Sequence, residues 1–190
     1  MDLCNHRIRL YAMQAVPVLQ ALDRDGRCFS KKEYVTAKYS ESAPIFTTAY
    51  SWFVREFQGI VPKPEGAEYP YWAFADLYSL DVTGGGNVLK LQVPLEEAVL
   101  FDMYDWNRIL CLKYLGKDKA DEKEFENMLD RCGLQETKIM LTDFYPHWKR
   151  QIMASWSRLF RHHPQLKLGN QENVGAVQAG LWQIKKEWIV

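Results

Sequence analysis

The sequence contains no run of about 18 apolar residues, so nothing in it is expected to span a membrane as a helix. The opening stretch Met1-Asp2-Leu3-Cys4-Asn5-His6-Arg7 lacks the basic-then-apolar order of a secretory signal. Together these features predict a cytoplasmic protein. Cys4, Cys28, Cys111 and Cys132 are scattered singly, which fits reduced thiols rather than a disulfide framework. No close-spaced ligand pairs are present, so no metal site is expected, and the His162-His163 doublet reads as a solvated helix end. Lysine plus arginine and aspartate plus glutamate both number 24, so there is no global field favouring polyanions. No Gly-x-Ser-x-Gly elbow occurs, and no internal repeat. Asp81-Val82-Thr83-Gly84-Gly85-Gly86-Asn87 lacks the Lys-Ser/Thr ending of a phosphate loop and precedes an extended segment, which predicts a hairpin turn.

What the chain does have is aromatic surface. Its densest segment is Glu68-Tyr69-Pro70-Tyr71-Trp72-Ala73-Phe74-Ala75-Asp76-Leu77-Tyr78. Pro70 can open a strand, and alternation then puts Tyr71, Ala73, Ala75 and Leu77 on one side and Trp72, Phe74, Asp76 and Tyr78 on the other. Both sides are largely apolar, so a central strand covered on two faces is expected. Alternation over residues 7–14 predicts a first strand, with Ile8, Leu10 and Ala12 on one face and Arg9, Tyr11 and Met13 on the other. Helices are expected over 15–25, closed by Gly26, and over 44–58, closed by Gly59. Residues 27–29 look extended and 30–43 read as loop. Strands are expected over 88–93, 98–101 and 177–184, and helices over 102–115, 121–131 and 143–162, the last being the longest. One domain over 1–190 results, of the α+β class: helices packed on a mainly antiparallel sheet.

Charge is unevenly spread. No acid occurs between Asp143 and Glu172, whereas Lys149, Arg150, Arg158 and Arg161 do. This segment is the expected place of any nucleic-acid contact, through phosphates. Asp102 and Asp105 share a helix face, where capping explains them as well as acid–base chemistry does.

The segments Leu10-Tyr11-Ala12-Met13-Gln14, Ala49-Tyr50-Ser51-Trp52-Phe53, Glu65 to Ala73 and Val177-Gln178-Ala179-Gly180-Leu181-Trp182 resemble an uncharacterised bacterial family, a domain of unknown function. Their order is also similar, more distantly, to the ADP-ribosyltransferase-like superfamily, which includes toxins that modify nucleic acid. That resemblance implies a split antiparallel sheet clamping NAD and transfer of ADP-ribose to a nucleic-acid or protein acceptor. The setting it suggests is a toxin–antitoxin or phage-defence system, with an antitoxin protein as a partner. It implies catalytic roles for Arg9 and Gln178, and NAD contacts from Tyr11, Gln14, Tyr50, Trp52, Tyr71 and Trp72. The last strand carries Gln178 where those transferases have an acid that steadies an oxocarbenium-like centre. Either Asp102, Asp105 or Asp143 supplies that charge, or the chain is an inactive nucleotide- or partner-binding module of the same fold. An interface built from exposed tryptophans is the third possibility.

Overall fold

A computed structural model describes residues 1, 3–33, 43–83 and 85–190. The fold is α+β: a curled antiparallel sheet with helices on both faces. Its strands are β1 (Leu3–Cys4), β2 (Arg7–Gln14), β4 (Tyr71–Phe74), β5 (Asn87–Pro94), β6 (Ala98–Asp102) and β7 (Val177–Leu181). Spatially the order is β5-β2-β4-β7-β6, with β1 sharing β2's second edge with β4. A separate two-stranded ribbon joins β3 (Arg27–Phe29) to β8 (Gln183–Lys185). Among the described residues the helices are α1 (Val16–Asp25), α2 (Ala43–Phe57), α3 (Met103–Leu110), α4 (Lys119–Arg131), α5 (Glu136–Leu141), α6 (Pro146–Ser155) and α7 (His163–Lys167). None is long and apolar enough to cross a membrane.

The alternating side chains of β2 decide which face is dry. Ile8, Leu10 and Ala12 are fully buried, with Leu22 of α1 and Leu166 of α7 in the same core. The opposite face of β4, β7 and β6 packs under α2. Here Gly180 is required: a Cβ on it would lie 2.9 Å from Cζ of Phe53, which sits against the sheet beside Trp72 and Trp106. As expected, the aromatic strand β4 is central, between β2 and β7.

Five expectations need correction. The glycine-rich connection is not a hairpin, because β4 and β5 lie on opposite sides of β2. The aromatic strand expected to run to Tyr78 stops at Phe74, because the Asp76 carboxylate accepts the Ser79 N–H and its hydroxyl and turns the chain into a 3₁₀ stretch over Leu77–Ser79. Eight-residue β5 then pairs with eight-residue β2 along its whole length. The long helix expected over 143–162 starts at Pro146 and stops at Ser155. The Ser155 and Ser157 hydroxyls donate to the carbonyls of Ile152 and Ala154, competing with the helical ladder. A 3₁₀ stretch, Trp156–His162, follows, and α7 restarts beside Pro164. The helix expected to reach residue 115 ends at Leu110. Leu112 takes a left-handed φ of 57° with its side chain buried, and Arg108 donates to the Tyr114 carbonyl. The closing strand breaks at Trp182, whose indole is stacked on Phe57 and donates to the Val61 carbonyl; β7 and β8 join different sheets. Most of the loop expected over 30–43, residues 34–42, lies outside the described residues, as does Gly84.

Candidate functional site

Antiparallel register aligns Tyr11 with Phe74, Phe74 with Gln178, and Gln178 with Phe101. Directly paired residues point to the same face, so these four form one row across the sheet. Strands lie about 4.8 Å apart, so the backbones of Tyr11 and Gln178 are roughly 10 Å apart with β4 between them. Arg9, two residues before Tyr11, shares this face, as does Trp72. The row crosses the narrowest part of the sheet, since Tyr11–Phe74 is the one register pair joining β2 to β4.

Gln178 is 4% exposed, and its Oε1 has no hydrogen-bond partner among the described residues. A buried acceptor left unpaired costs about 1–3 kcal/mol, so a ligand donor at this point gains what the fold forgoes. Arg9 and Tyr11 are half-buried on the same face, with Gln92 opposite Arg9 and Lys90 opposite Tyr11.

The other expected dinucleotide contacts are dispersed. Trp72 Nε1 donates to the Tyr50 hydroxyl at 2.6 Å, and Tyr50 packs among Tyr69 and Trp106 in the core. Trp52 stacks on Phe160 and meets Trp156 edge-on, within the helical layer. Tyr71 lies on the sheet's other face, where its hydroxyl donates to Cys28 Sγ at 3.0 Å. Gln14 is buried on that same other face, opposite Asn87. Only Tyr11 and Trp72 of the six share a face with Arg9 and Gln178.

Each acid considered as a stand-in for the absent glutamate is engaged. Asp102 caps α3: Oδ1 accepts from the Tyr104 N–H and Oδ2 from the Gly175 N–H. Asp105 pairs with Arg161 at 3.0 Å; burial raises its carboxyl above the ordinary range, and the guanidinium opposes that shift. Asp143 is fully exposed and pairs with Lys149.

The basic segment is largely committed to internal contacts. Arg158 donates to the Leu115 carbonyl at 2.7 Å and lies over the Tyr114 ring. Arg161 donates to the carbonyls of Gly116 and Lys117 as well as to Asp105. Lys149 Nζ donates to the Thr142 carbonyl, and Arg150 is exposed. Arg158 and Arg161 hold the 115–117 turn against the 3₁₀ stretch.

His163 is not a solvated helix end. Its Nδ1 accepts the Leu100 N–H of β6 at 3.1 Å, and burial lowers its pKa to about 4. The doublet gave no signal for this, because the contact spans 63 residues. Nor did the sequence single out Lys90, which became visible only through its pairing with Tyr11. Among the described residues no three His, Cys, Asp or Glu side chains gather as a metal site, and no cysteine forms a disulfide. Two open cavities lie elsewhere. One, of about 620 Å³, is bounded by Asp25, Arg27 and Lys185; the other, of about 400 Å³, runs along α4.

The chain is thus an α+β protein with a curled antiparallel sheet flanked by helices, across which Tyr11, Phe74, Gln178 and Phe101 form one row. Residues 9–190 match a domain of unknown function, DUF3841, and the chain belongs to that family. No curated protein and no solved structure matches it.

Proposed function

We propose that the chain is a nucleotide-binding module of ADP-ribosyltransferase-like type that holds NAD or a related dinucleotide against Arg9, Tyr11 and Gln178. The observation that carries this reading is the buried, unpartnered Oε1 of Gln178 on the same sheet face as Arg9 and Tyr11. A carboxamide or exocyclic amine supplies the donor that Oε1 lacks, a guanidinium suits a pyrophosphate, and a phenol ring suits stacking. Isothermal calorimetry with NAD tests it: Arg9→Ala and Gln178→Ala should each weaken binding at least tenfold with unchanged circular dichroism. Absence of binding at millimolar NAD, or wild-type binding by both variants, rejects the assignment.

The second reading is transfer of ADP-ribose from NAD to a nucleic-acid or protein acceptor, as the toxin of a toxin–antitoxin or phage-defence system. Its support is the shared face of Arg9 and Gln178. It needs a carboxylate near the ribose, and Asp102, Asp105 and Asp143 are each engaged elsewhere, which favours binding without transfer. Labelled NAD incubated with RNA, DNA and lysate decides between the two: label on a macromolecule, or growth arrest on expression in bacteria, establishes transfer.

A further inference from the structure

The connection from β4 to β5 has to cross β2. β4 ends at Phe74, beside Tyr11 on one edge of β2, and β5 begins at Asn87, beside Gln14 on the other. The Ile8–Leu10–Ala12 face is closed to it, being fully buried with Leu22 of α1 and Leu166 of α7. The remaining route passes over Arg9, Tyr11 and Met13, and Gly86 marks it: a Cβ there would lie 3.0 Å from Met13 Sδ. Leu80, within the connection, is 8% exposed yet belongs to neither hydrophobic core, and neither do Tyr11 and Met13. Arg9 Nε is screened from solvent although Arg9 stands on this outward face. The connection's turns are local. The Ser79 N–H donates to Asp76, the Leu80 N–H to the Leu77 carbonyl and the Thr83 N–H to Asp81. Leu77 and Tyr78 face solvent.

We infer that residues 76–83 are a strap closed over the Arg9–Tyr11 side of the Gln178 row, anchored by Leu80, and that a dinucleotide enters by displacing it. The identity of the ligand rests on the dinucleotide reading; the strap itself does not. A leucine buried outside both cores lies against the side chains its segment crosses, and on this face those are Tyr11 and Met13. Because its turns close on themselves, the strap can lift as a unit without breaking a ladder of the sheet. Gly85 and Gly86, at φ values of 66° and 148°, supply a hinge where it joins β5, since glycine alone takes such angles at little cost. The strap is closed with no ligand bound, so it opposes entry rather than sealing a bound molecule in. A site open in only a fraction of molecules binds with its affinity reduced by that fraction.

Leu80→Ala loosens the anchor, and two readouts on the full chain follow it. Without nucleotide, peroxide oxidation of Met13, read by mass spectrometry, should quicken about threefold or more, because the sulfur loses its cover. In calorimetry with NAD, binding should tighten by about threefold or more. Leu80→Val should move both readouts the same way by less, which keeps the test open if Leu80→Ala alters the circular dichroism. Tyr78→Ala, on the outward side, should change neither. NAD should also speed chymotryptic cleavage after Tyr78 or Leu80 in wild type, the reverse of the protection a ligand gives a lid that closes on it. Unchanged Met13 oxidation in both Leu80 variants overturns the inference. So does NAD binding that is equal to wild type or weaker in both, or cleavage that NAD slows. If no protein binds NAD while Met13 oxidation rises as expected, the strap stands and the dinucleotide reading falls.

Discussion

Acidification should destabilise this protein through one ring. β6 is an outer strand of the sheet, and its Leu100 N–H points away from β7 to the unprotonated Nδ1 of His163. Protonating that nitrogen turns N–H···N into two opposed N–H groups. Burial is the larger cause of the lowered pKa of about 4, and the nearby Lys167 ammonium acts in the same direction. The unfolded chain takes up the proton near 6.5 and the folded chain only near 4. The unfolded state therefore binds more protons between these values, and stability is full above about 6.5 and lost as pH falls toward 4. The whole difference corresponds to roughly 3 kcal/mol, which screening of the partly exposed ring reduces to about 1–2 kcal/mol.

Urea melts followed by tryptophan fluorescence at pH 7.5 and 4.5 measure the loss. His163→Asn is the control: its Oδ1 replaces Nδ1 as acceptor and does not titrate. Other groups contribute in both directions. Asp121, whose pKa is lowered chiefly by the Lys117 N–H, loses stability in acid, whereas Asp105 and Glu136, raised by burial, gain it. The difference between wild type and His163→Asn isolates the ring. Wild type should lose about 1–2 kcal/mol more than the variant, a gap of roughly 2–8 °C in melting midpoint for a chain of this size. Equal acid losses in the two proteins, or an NMR titration placing folded His163 near 6.5, would refute the reasoning.

Three further outcomes follow from packing and hydrogen bonding. Gly180→Ala drives a Cβ against the Phe53 ring and Val99, within a core that cannot yield, and should cost about 1–3 kcal/mol in a urea melt. Ser155→Ala strands the buried Leu115 N–H, which donates to Ser155 Oγ at 2.9 Å, and should cost about 1–3 kcal/mol in the same assay. Trp182→Phe keeps a ring over Phe57 but leaves the Val61 carbonyl without the indole donor; thermal melts should show a loss of about 1–3 kcal/mol.

The parts of the fold legible in the sequence were those decided by neighbouring residues. Alternation along residues 7–14 identified both faces of β2, and Gly26, at a φ of 72°, closes α1 where expected. A cap at Asp102 or Asp105 was legible from the start of the helical pattern, and the structure assigns it to Asp102. The errors share a different cause. The hairpin reading took two strands close in sequence as partners, but β2 accepted β5 along one edge and β4, beside β1, on the other. The unbroken helix over 143–162 was read from its apolar stripe, which does persist. What broke it was competition by the Ser155 and Ser157 hydroxyls for its carbonyls, a polar effect that hydrophobic spacing does not register.

The candidate site repeats that division. Arg9 and Tyr11 share a face because of their spacing on one strand, which a sequence states directly. That Gln178 joins them depends on β4 lying between β2 and β7, and on a register that puts Phe74 opposite both Tyr11 and Gln178. A slip of one residue in either pairing would turn Gln178 to the opposite face, into the core of Leu100 and Ala179. The same register sends Tyr71 and Gln14 to that opposite face. Counting basic residues along the chain favoured 149–161, yet an arginine's value to a ligand depends on what already holds it. Arg158 and Arg161 are spent on the carbonyls of residues 115–117, which a turn leaves unpaired and a nearby guanidinium can satisfy.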